Sequence, residues 1–356
     1  MSTSWTLTVA ISLVALLGSA CSDDTSDNAA GTTTTASTAP TGPQQYTVIV
    51  DGPSTLGAEN YVFGTYFPNS LKVRPGDTIT YDNRSSNDLH TVTFGVKQDR
   101  SDQPPTVLKT RQANPVVFGP CYTTEPAKPT ITCPRPTAGA PEYTGTGFWN
   151  SGVIMPTALP AEAGPKTTTV KLAADIATGT YLVTCLLHPN MEHGVTVVGS
   201  DAERQSAAQV AATADKELGD LKAQGTSLAI PTAGTAPTGA RVTSGWSNKL
   251  VAVNRFHPET VTIKAGQTVT WRVHSDWMPH TVSFQPPFQS PAEPNALLPS
   301  GVKSGGKFAG GESHSGIFGP PPDGLTDTFA LTFTKAGKYP YLCLLHPGMA
   351  GTVEVS

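Results

Sequence analysis

The sequence predicts an all-β protein built from two β-sandwich domains. Short runs of β-branched and aromatic residues alternate with Gly- and Pro-containing turns along much of its 356 residues, a pattern typical of sandwiches. A phrase of seven residues also occurs twice, as Cys185–Met191 (CLLHPNM) and as Cys343–Met349 (CLLHPGM). Two copies of one phrase, each within a segment of domain size, indicate a duplicated domain rather than a solenoid of short repeats.

A second matched phrase lies upstream of each copy. His90–Phe94 reads HTVTF and His280–Phe284 reads HTVSF, and the two histidines are 190 positions apart. Cys185 and Cys343 are only 158 positions apart, so the first repeat carries 32 more residues between its histidine and its cysteine. We expect a first domain at 46–198 with an insertion at about 97–148, and a second domain at 246–356.

The N-terminus has the features of an export signal. Leu7 to Leu17 is an apolar run too short to span a membrane, and it ends in Gly18-Ser19-Ala20-Cys21 before the chain turns polar. This arrangement resembles a bacterial lipoprotein signal, so we expect residues 1–20 to be a signal peptide and Cys21 to be acylated. Residues 21–45 contain too little apolar surface to fold, which predicts a disordered tether.

The first domain shows strand patterns on both sides of the insertion. We expect strands at 46–50, 167–172, 179–185 and 195–198, and a hairpin of 71–74 with 78–81 around Pro75-Gly76.

Two cysteines lie inside the insertion. Cys121 and Cys133 have no histidine beside them, which favours a disulfide over a metal site. A disulfide requires an oxidising compartment outside the cytosol. Two free buried thiols are the alternative.

A helix and a linker are expected between the domains, at 199–245. Ser200 and Glu203 form a capping box, alanine-rich sequence follows to Gln224, and Gly225 is a natural stop. A weak apolar stripe at helical spacing predicts one helix of about 24 residues. In the second domain we expect strands at 261–263, 268–271, 328–333, 339–343 and 352–355.

The repeated phrases carry the ligands of a metal site. One cysteine, two histidines and a weakly bound methionine are the ligands of a blue-copper electron-transfer centre. The alternative, that these are ordinary core residues, does not explain a complete set that occurs twice. The sequence therefore predicts two type 1 copper ions per chain, held at site 1 by His90, Cys185, His188 and Met191, and at site 2 by His280, Cys343, His346 and Met349.

The motifs resemble a known family. Met278–Val282 (MPHTV), with the Cys-x2-His-Pro-x-Met loops, resembles the amicyanin and plastocyanin branch of the cupredoxins. Ser151-Gly152 and Ser315-Gly316 are similar to the Ser-Gly turn that lies near the metal in that branch. The resemblance implies Greek-key sandwiches and electron ports at His188 and His346, where redox protein partners would dock.

These observations favour a non-enzymatic electron carrier, exported to the cell envelope and lipid-anchored on the outer (periplasmic) side of the cytoplasmic membrane. The net charge of −4, with 14% charged residues, gives no indication of nucleic-acid binding. A copper oxidase or nitrite-reductase-like enzyme is an alternative, but Thr184 and Leu342 stand where such enzymes often place a histidine before the site cysteine. Copper sequestration or resistance without electron transfer also remains open.

Four histidines are not duplicated between the repeats, and we expect all four at the surface. They are His193, His257, His274 and His314.

Overall fold

Each repeat folds into a sandwich of two β-sheets. The computed structural model describes residues 41–52, 55–56, 59–83, 88–109, 112–133, 139–231, 235–236, 239–287, 293, 295–320 and 325–356. The expected signal peptide, Cys21 and residues 22–40 of the expected tether lie outside these residues. No helix within the described part of the chain is long and apolar enough to cross a membrane.

The elements of the first repeat are β1 Gln45–Val50, β2 Thr55–Leu56, β3 Glu59–Phe63, β4 Tyr66–Phe67, β5 Ser70–Val73, β6 Thr78–Asp82, β7 His90–Phe94, α1 Pro115–Phe118, β8 Cys121–Thr123, β9 Phe148–Ile154, β10 Thr167–Lys171, β11 Gly179–Thr184 and β12 Glu192–Val197. The short helix α1 lies in the insertion, and a 3-10 turn spans Ala161–Ala163. The first repeat forms one four-stranded and one six-stranded sheet, in the orders β10-β6-β1-β4 and β5-β12-β11-β7-β9-β8.

Helix α2, Ala207–Thr226, precedes the second repeat. The strands that follow are β13 Thr235–Ala236, β14 Gly239–Ser247, β15 Val251–His257, β16 Thr260–Ile263, β17 Thr268–His274, β18 Ser283–Phe284, β19 Gly306–Phe308, β20 Ser313–His314, β21 Thr328–Phe333, β22 Gly337–Leu342 and β23 Ala350–Val355. They form two sheets, in the orders β19-β21-β17-β14-β15-β3-β2 and β16-β23-β22-β18-β20, with β13 paired to β14. The predicted all-β class is confirmed.

The expected hairpin around Pro75-Gly76 is wrong. Strands β5 and β6 flank that turn but lie in different sheets, because β5 pairs with β12 and β6 pairs with β1 and β10. Alternate residues of both strands are buried in one core cluster, among them Leu71, Val73, Ile79 and Tyr81. Because the chain crosses from one sheet to the other at the turn, the apolar faces of the two strands meet across the core of the sandwich.

Helix α2 begins after Ser206 rather than after Ser200. The Ser206 hydroxyl accepts the N–H of Gln209, and the Gln209 side chain accepts the N–H of Ser206. The residues before it are held on the first sandwich, because the buried Arg204 contacts the buried Asp77 carboxylate at 3.2 Å. The predicted capping box at Ser200 is therefore wrong, and the helix runs on through Gly225 to Thr226.

The two repeats share a sheet. Strand β3 of the first repeat pairs antiparallel with β15 of the second, with Phe63 opposite Val251. Helix α2 covers this junction, where Leu218 and Leu221 pack in one cluster with Phe63 and Trp246. Strand β14 begins at Gly239, inside the segment expected to be linker, and it is central in the shared sheet.

The position of the helix cap can be tested by two matched substitutions. We expect Ser206→Ala to lower the free energy of unfolding by about 1 kcal/mol, because the N–H of Gln209 loses the hydroxyl that accepts it. Ser200→Ala should change it by less than about 0.5 kcal/mol. Urea unfolding of both variants measures the difference. An equal loss of unfolding free energy in the two variants would contradict the assignment of the helix cap to Ser206.

Candidate metal centre

The structure brings three of the four predicted ligands of site 1 together. His90 begins strand β7, whereas Cys185 and His188 lie on the loop that follows β11. The Cys185 Sγ lies 3.9 Å from His90 Nδ1 and 3.6 Å from His188 Nδ1, and the two Nδ1 atoms are 3.2 Å apart. All three residues are buried.

Site 2 repeats this triangle with almost the same dimensions. The Cys343 Sγ lies 3.8 Å from His280 Nδ1 and 3.4 Å from His346 Nδ1, and the two Nδ1 atoms are 3.1 Å apart. These three residues are also buried. Among the residues that the structure describes, no third group of three or more His, Cys, Asp or Glu side chains lies close enough together to hold a metal ion.

The donor triangles fit a metal ion. The centre of either triangle lies roughly 2 Å from each donor atom, which is the usual length of a metal–nitrogen bond and slightly below that of a metal–sulfur bond. Imidazole and thiolate together suit copper, and three in-plane donors match a trigonal His2Cys site. Met191 and Met349 are buried at the end of each loop, where their N–H groups bond the carbonyls of His188 and His346.

A threonine next to the strand histidine locks each loop in place. The Thr91 hydroxyl accepts the N–H of Leu186 at 2.8 Å, and the Thr91 N–H points at the Cys185 sulfur at 3.4 Å. Thr281 repeats both contacts with Leu344 at 2.7 Å and with Cys343 at 3.4 Å. The second residue of the His-Thr-Val phrase therefore fixes the thiolate relative to the strand.

The predicted Ser-Gly turns support the same strands. The Ser151 hydroxyl accepts the N–H of Val92 at 2.9 Å, and the Ser315 hydroxyl accepts the N–H of Val282 at 2.8 Å. The first turn thus holds β7, which begins at the predicted ligand His90, and the second turn holds the segment that leads from the predicted ligand His280 into β18.

The two loops face each other across a cavity of about 70 Å³. Asp88 lies between them, with one carboxylate oxygen 3.1 Å from His188 Nε2 and the other 3.7 Å from His346 Nε2. The exposed fractions of His188 and His346 are 4% and 2%. The two histidines expected to be surface ports therefore face a shared carboxylate, and the rings of His188 and Trp277 form a T-shaped pair.

Asp88 changes the charge state of its neighbours in the metal-free chain. Burial disfavours the Asp88 carboxylate, but His188 and His346 outweigh that effect and hold its pKa well below the usual range. Burial likewise opposes the imidazolium of His188, yet Asp88 and Cys185 raise its pKa to about 10. The pKa of Cys185 lies well below the usual thiol range, because the nearby imidazoles outweigh the cost of burying the thiolate.

The strand histidines of the two sites have different surroundings. His90 Nε2 lies 3.3 Å from a carboxylate oxygen of the buried Asp51. His280 Nε2 abuts the backbone of Gly245 and has no hydrogen-bond partner among the described residues. Burial lowers the pKa of both imidazoles, but hydrogen bonds to Asp51 and Cys185 raise that of His90 to about 9, whereas the pKa of His280 stays below its usual value.

Two of the four unduplicated histidines are buried, which corrects the expectation that all lie at the surface. His193 is 1% exposed on β12, where it packs against Tyr66 and Tyr81, and burial lowers its pKa to about 4. His314 is fully buried and contacts the Ser283 hydroxyl and the Ala296 carbonyl, each at 2.7 Å. His274 is exposed, and His257 is half-buried.

The insertion of the first repeat packs against the metal loop of site 1. The expected disulfide is present, with the Cα atoms of Cys121 and Cys133 5.3 Å apart. The Arg100 guanidinium donates to the carbonyls of Cys185 and Met191, each at 3.0 Å, and so spans the two ends of the loop.

Sequence reasoning missed Asp51, Asp88 and Arg100. Neither aspartate is repeated in the second copy, so a comparison of the two repeats does not indicate them. Asp88 stands two residues before a ligand, which is a signal that could have found it; Arg100 lies in an insertion with no counterpart to align.

Comparisons with known proteins agree with this geometry. The model of copper-binding proteins of the plastocyanin/azurin family matches residues 246–356. Plastocyanin from Scenedesmus fuscus is 34% identical over 102 residues, which make up 28% of this chain and 85% of that protein. Amicyanin from Paracoccus versutus is 34% identical over 97 residues, 27% of this chain and 53% of its own length. Amicyanin from Paracoccus denitrificans is 30% identical over 105 residues and is covered to 61%.

The role of the locking threonine can be tested in the metal-free protein. We expect Thr91→Val to lower the free energy of unfolding by about 1–3 kcal/mol, because the isosteric side chain leaves the buried N–H of Leu186 without an acceptor. Thr180→Val, on an exposed face of β11, is the control and should change it by less than about 0.5 kcal/mol. Equal urea midpoints for the wild type and Thr91→Val would contradict the assignment.

Proposed function

Because the chain belongs to the plastocyanin/azurin family of copper-binding proteins, we propose that it is an electron-transfer protein with two type 1 copper centres. The ligands would be His90, Cys185, His188 and Met191 at site 1, and His280, Cys343, His346 and Met349 at site 2. The observation that carries this proposal is the pair of buried His-Cys-His triangles with matching edges. Copper in such a site passes between Cu(I) and Cu(II) with little change of preferred geometry.

The chain's own contribution is to hold the donors rigidly and away from water. Each triangle joins one histidine, His90 at the start of β7 or His280 just before β18, to a loop. The loop is closed by a hydrogen bond from the cysteine N–H to the methionine carbonyl, at 3.0 Å in site 1 and 2.9 Å in site 2. Because the hydrogen bonds of the strands and loops hold the donors in one arrangement, little reorganisation should accompany a change of oxidation state.

Redox protein partners would dock on the face formed by the two loops. The loop histidines themselves are buried, so a partner would contact the more accessible residues beside them. These include the exposed Pro189 and the half-buried Leu187, Leu345 and Pro347.

We also propose that the protein is exported and tethered to the cell envelope. The Cys121–Cys133 disulfide supports an oxidising compartment, and the apolar run ending at Cys21 supports a lipoprotein signal. Mass spectrometry of the membrane fraction should find an acylated Cys21 as the mature N-terminus. Cys21→Ala should leave the chain unacylated, and an unmodified cysteine in the wild-type membrane fraction would contradict the anchor.

Copper stoichiometry and the visible spectrum test the two centres. We expect two Cu(II) ions per chain and an intense visible band, because a thiolate bound to Cu(II) is the chromophoric ligand. Cys185→Ser and Cys343→Ser should each remove about half of the band, and the double variant should remove all of it. Loss of the whole band in either single variant would show that the other site is not a type 1 centre.

An assay for turnover separates the carrier from the alternative enzyme. An oxidase or nitrite reductase requires a further copper ion with an open coordination position, and would bind more than two copper ions per chain. The copper-loaded protein should therefore bind two ions and show no turnover with oxygen or nitrite in the presence of a reductant. Turnover that survives in the double Cys→Ser variant would point to a further centre.

A further inference from the structure

The two donor triangles are nearly identical, but the buried carboxylates around them are not. The ring nitrogens that point away from each triangle, the Nε2 atoms, are called the outer nitrogens. Those of the site 1 histidines contact two carboxylates, those of Asp51 and Asp88. Among the described residues, the outer nitrogens of the site 2 histidines contact only Asp88, and at a longer distance of 3.7 Å. The difference lies in the second layer of each site.

Asp51 is the structural counterpart of Gly245. Strand β1 pairs with β6 from Gln45↔Thr78, and β14 pairs with β17 from Gly239↔Thr268. Asp51, which directly follows β1, and Gly245 each stand six residues after the first of these paired residues (51 − 45 and 245 − 239). Both have left-handed backbones, with φ of 59° at Asp51 and 67° at Gly245. Glycine adopts this conformation freely, whereas aspartate does so at some cost.

Both carboxylate oxygens of Asp51 have hydrogen-bond partners at this position. One oxygen accepts the N–H groups of Gly52 and Phe63, and the other faces His90 Nε2. In the second repeat even a Cβ at Gly245 would stand 2.1 Å from His280 Nε2, so a side chain cannot occupy the same place without moving the imidazole. The second site is built without this carboxylate.

Asp88 is shared between the sites and has no acidic counterpart. The repeat shift of 190 positions places Met278 at the equivalent position, and both residues line the cavity between the loops. The Asp88 backbone carbonyl is held by the Asn83 amide at 2.9 Å, which fixes the carboxylate between His188 and His346. One residue of the first repeat thus acts on both sites.

We propose that Asp51 and Asp88 make the two centres an ordered pair, in which site 1 has the lower redox potential. This proposal rests on the proposed function. A carboxylate that accepts the outer N–H of a ligand histidine makes the imidazole a stronger donor and stabilises the higher charge of the oxidised ion. Site 1 has the Asp51 carboxylate to itself and also contacts Asp88, whereas site 2 contacts only Asp88 among the described residues. The oxidised ion is therefore stabilised more at site 1, and the electron is held more tightly at site 2.

The ordering gives electron transfer within the chain a direction. One electron leaves site 1, which becomes oxidised, and one electron arrives at site 2, which becomes reduced; no proton and no further reactant takes part. The two loop imidazoles face the same carboxylate, so the ligands of the two sites lie on either side of one residue. Asp51 and Asp88 are positioning residues in this scheme, since neither is a ligand.

Spectroelectrochemistry on single-site variants measures the order. Cys343→Ser retains site 1 and Cys185→Ser retains site 2, so each potential is read from one visible band. We expect the lower potential in the chain that retains site 1. Asp51→Asn should raise it, because asparagine keeps the left-handed backbone and an acceptor for Gly52 and Phe63 but lacks the charge. A 10–100-fold loss of Cu(II) affinity at unchanged Cu(I) affinity corresponds to a rise of about 60–120 mV.

Matched variants distinguish the effect of Asp51, which contacts only site 1, from that of Asp88, which contacts both sites. Asp51→Asn should raise the potential of site 1 and leave that of site 2 unchanged, whereas Asp88→Asn should raise both potentials. Asp51→Gly, which installs the residue of the second repeat, is the alternative if the asparagine variant folds poorly. In the metal-free protein, nitrogen NMR should show a hydrogen-bonded proton on His90 Nε2 that is lost in the Asp51 variants.

Several results would overturn the proposal. Two blue centres with equal potentials, or a higher potential at site 1, would overturn it and leave the proposed function intact. So would an Asp51→Asn effect of equal size at both sites. Failure to bind copper in the wild type would overturn the proposed function together with this inference.

Discussion

The register of one strand pair in each repeat determines whether a metal site can exist. In the first repeat β7 pairs with β11, with Thr93 opposite Thr184, so His90 comes beside the loop that carries Cys185. In the second repeat Ser283 lies opposite Leu342 and brings His280 beside Cys343. A slip of one residue would turn every side chain of the strand to the opposite face and separate the donors. The threonine that follows each histidine adds a bond to the loop and holds this register.

The repeats have kept the donors and changed what surrounds them. The edges of the two triangles agree to within 0.2 Å, although Asp88 stands in place of Met278 and Asp51 in place of Gly245. The residue that supports the locking threonine through a neighbouring hydroxyl also differs, being Asn150 in one repeat and His314 in the other. Such divergence leaves copper-type donor chemistry intact and gives each site its own electrostatic environment.

The fold class and the cupredoxin resemblance could be predicted because both depend on local signals that occur twice. The His-Thr-Val phrase and the Cys loop identify each other by their common spacing. The burial of His188 could not be predicted, since it depends on Asp88 and Trp277 meeting across the junction of the repeats. The predicted start of helix α2 was wrong for a similar reason. Ser200 and Ser206 are both good N-caps, and the ion pair of Arg204 with Asp77 decides between them.

The pairing of β3 with β15 makes the second repeat dependent on the first. The family match begins at Trp246, yet the sheet of that repeat starts earlier, at β14, and is completed on its other side by a strand from residues 59–63. A fragment cut at the family boundary would lose most of its central strand and expose β15 as an unpaired edge, which invites aggregation. The unit recognisable in the sequence is therefore smaller than the sheet that this part of the chain builds.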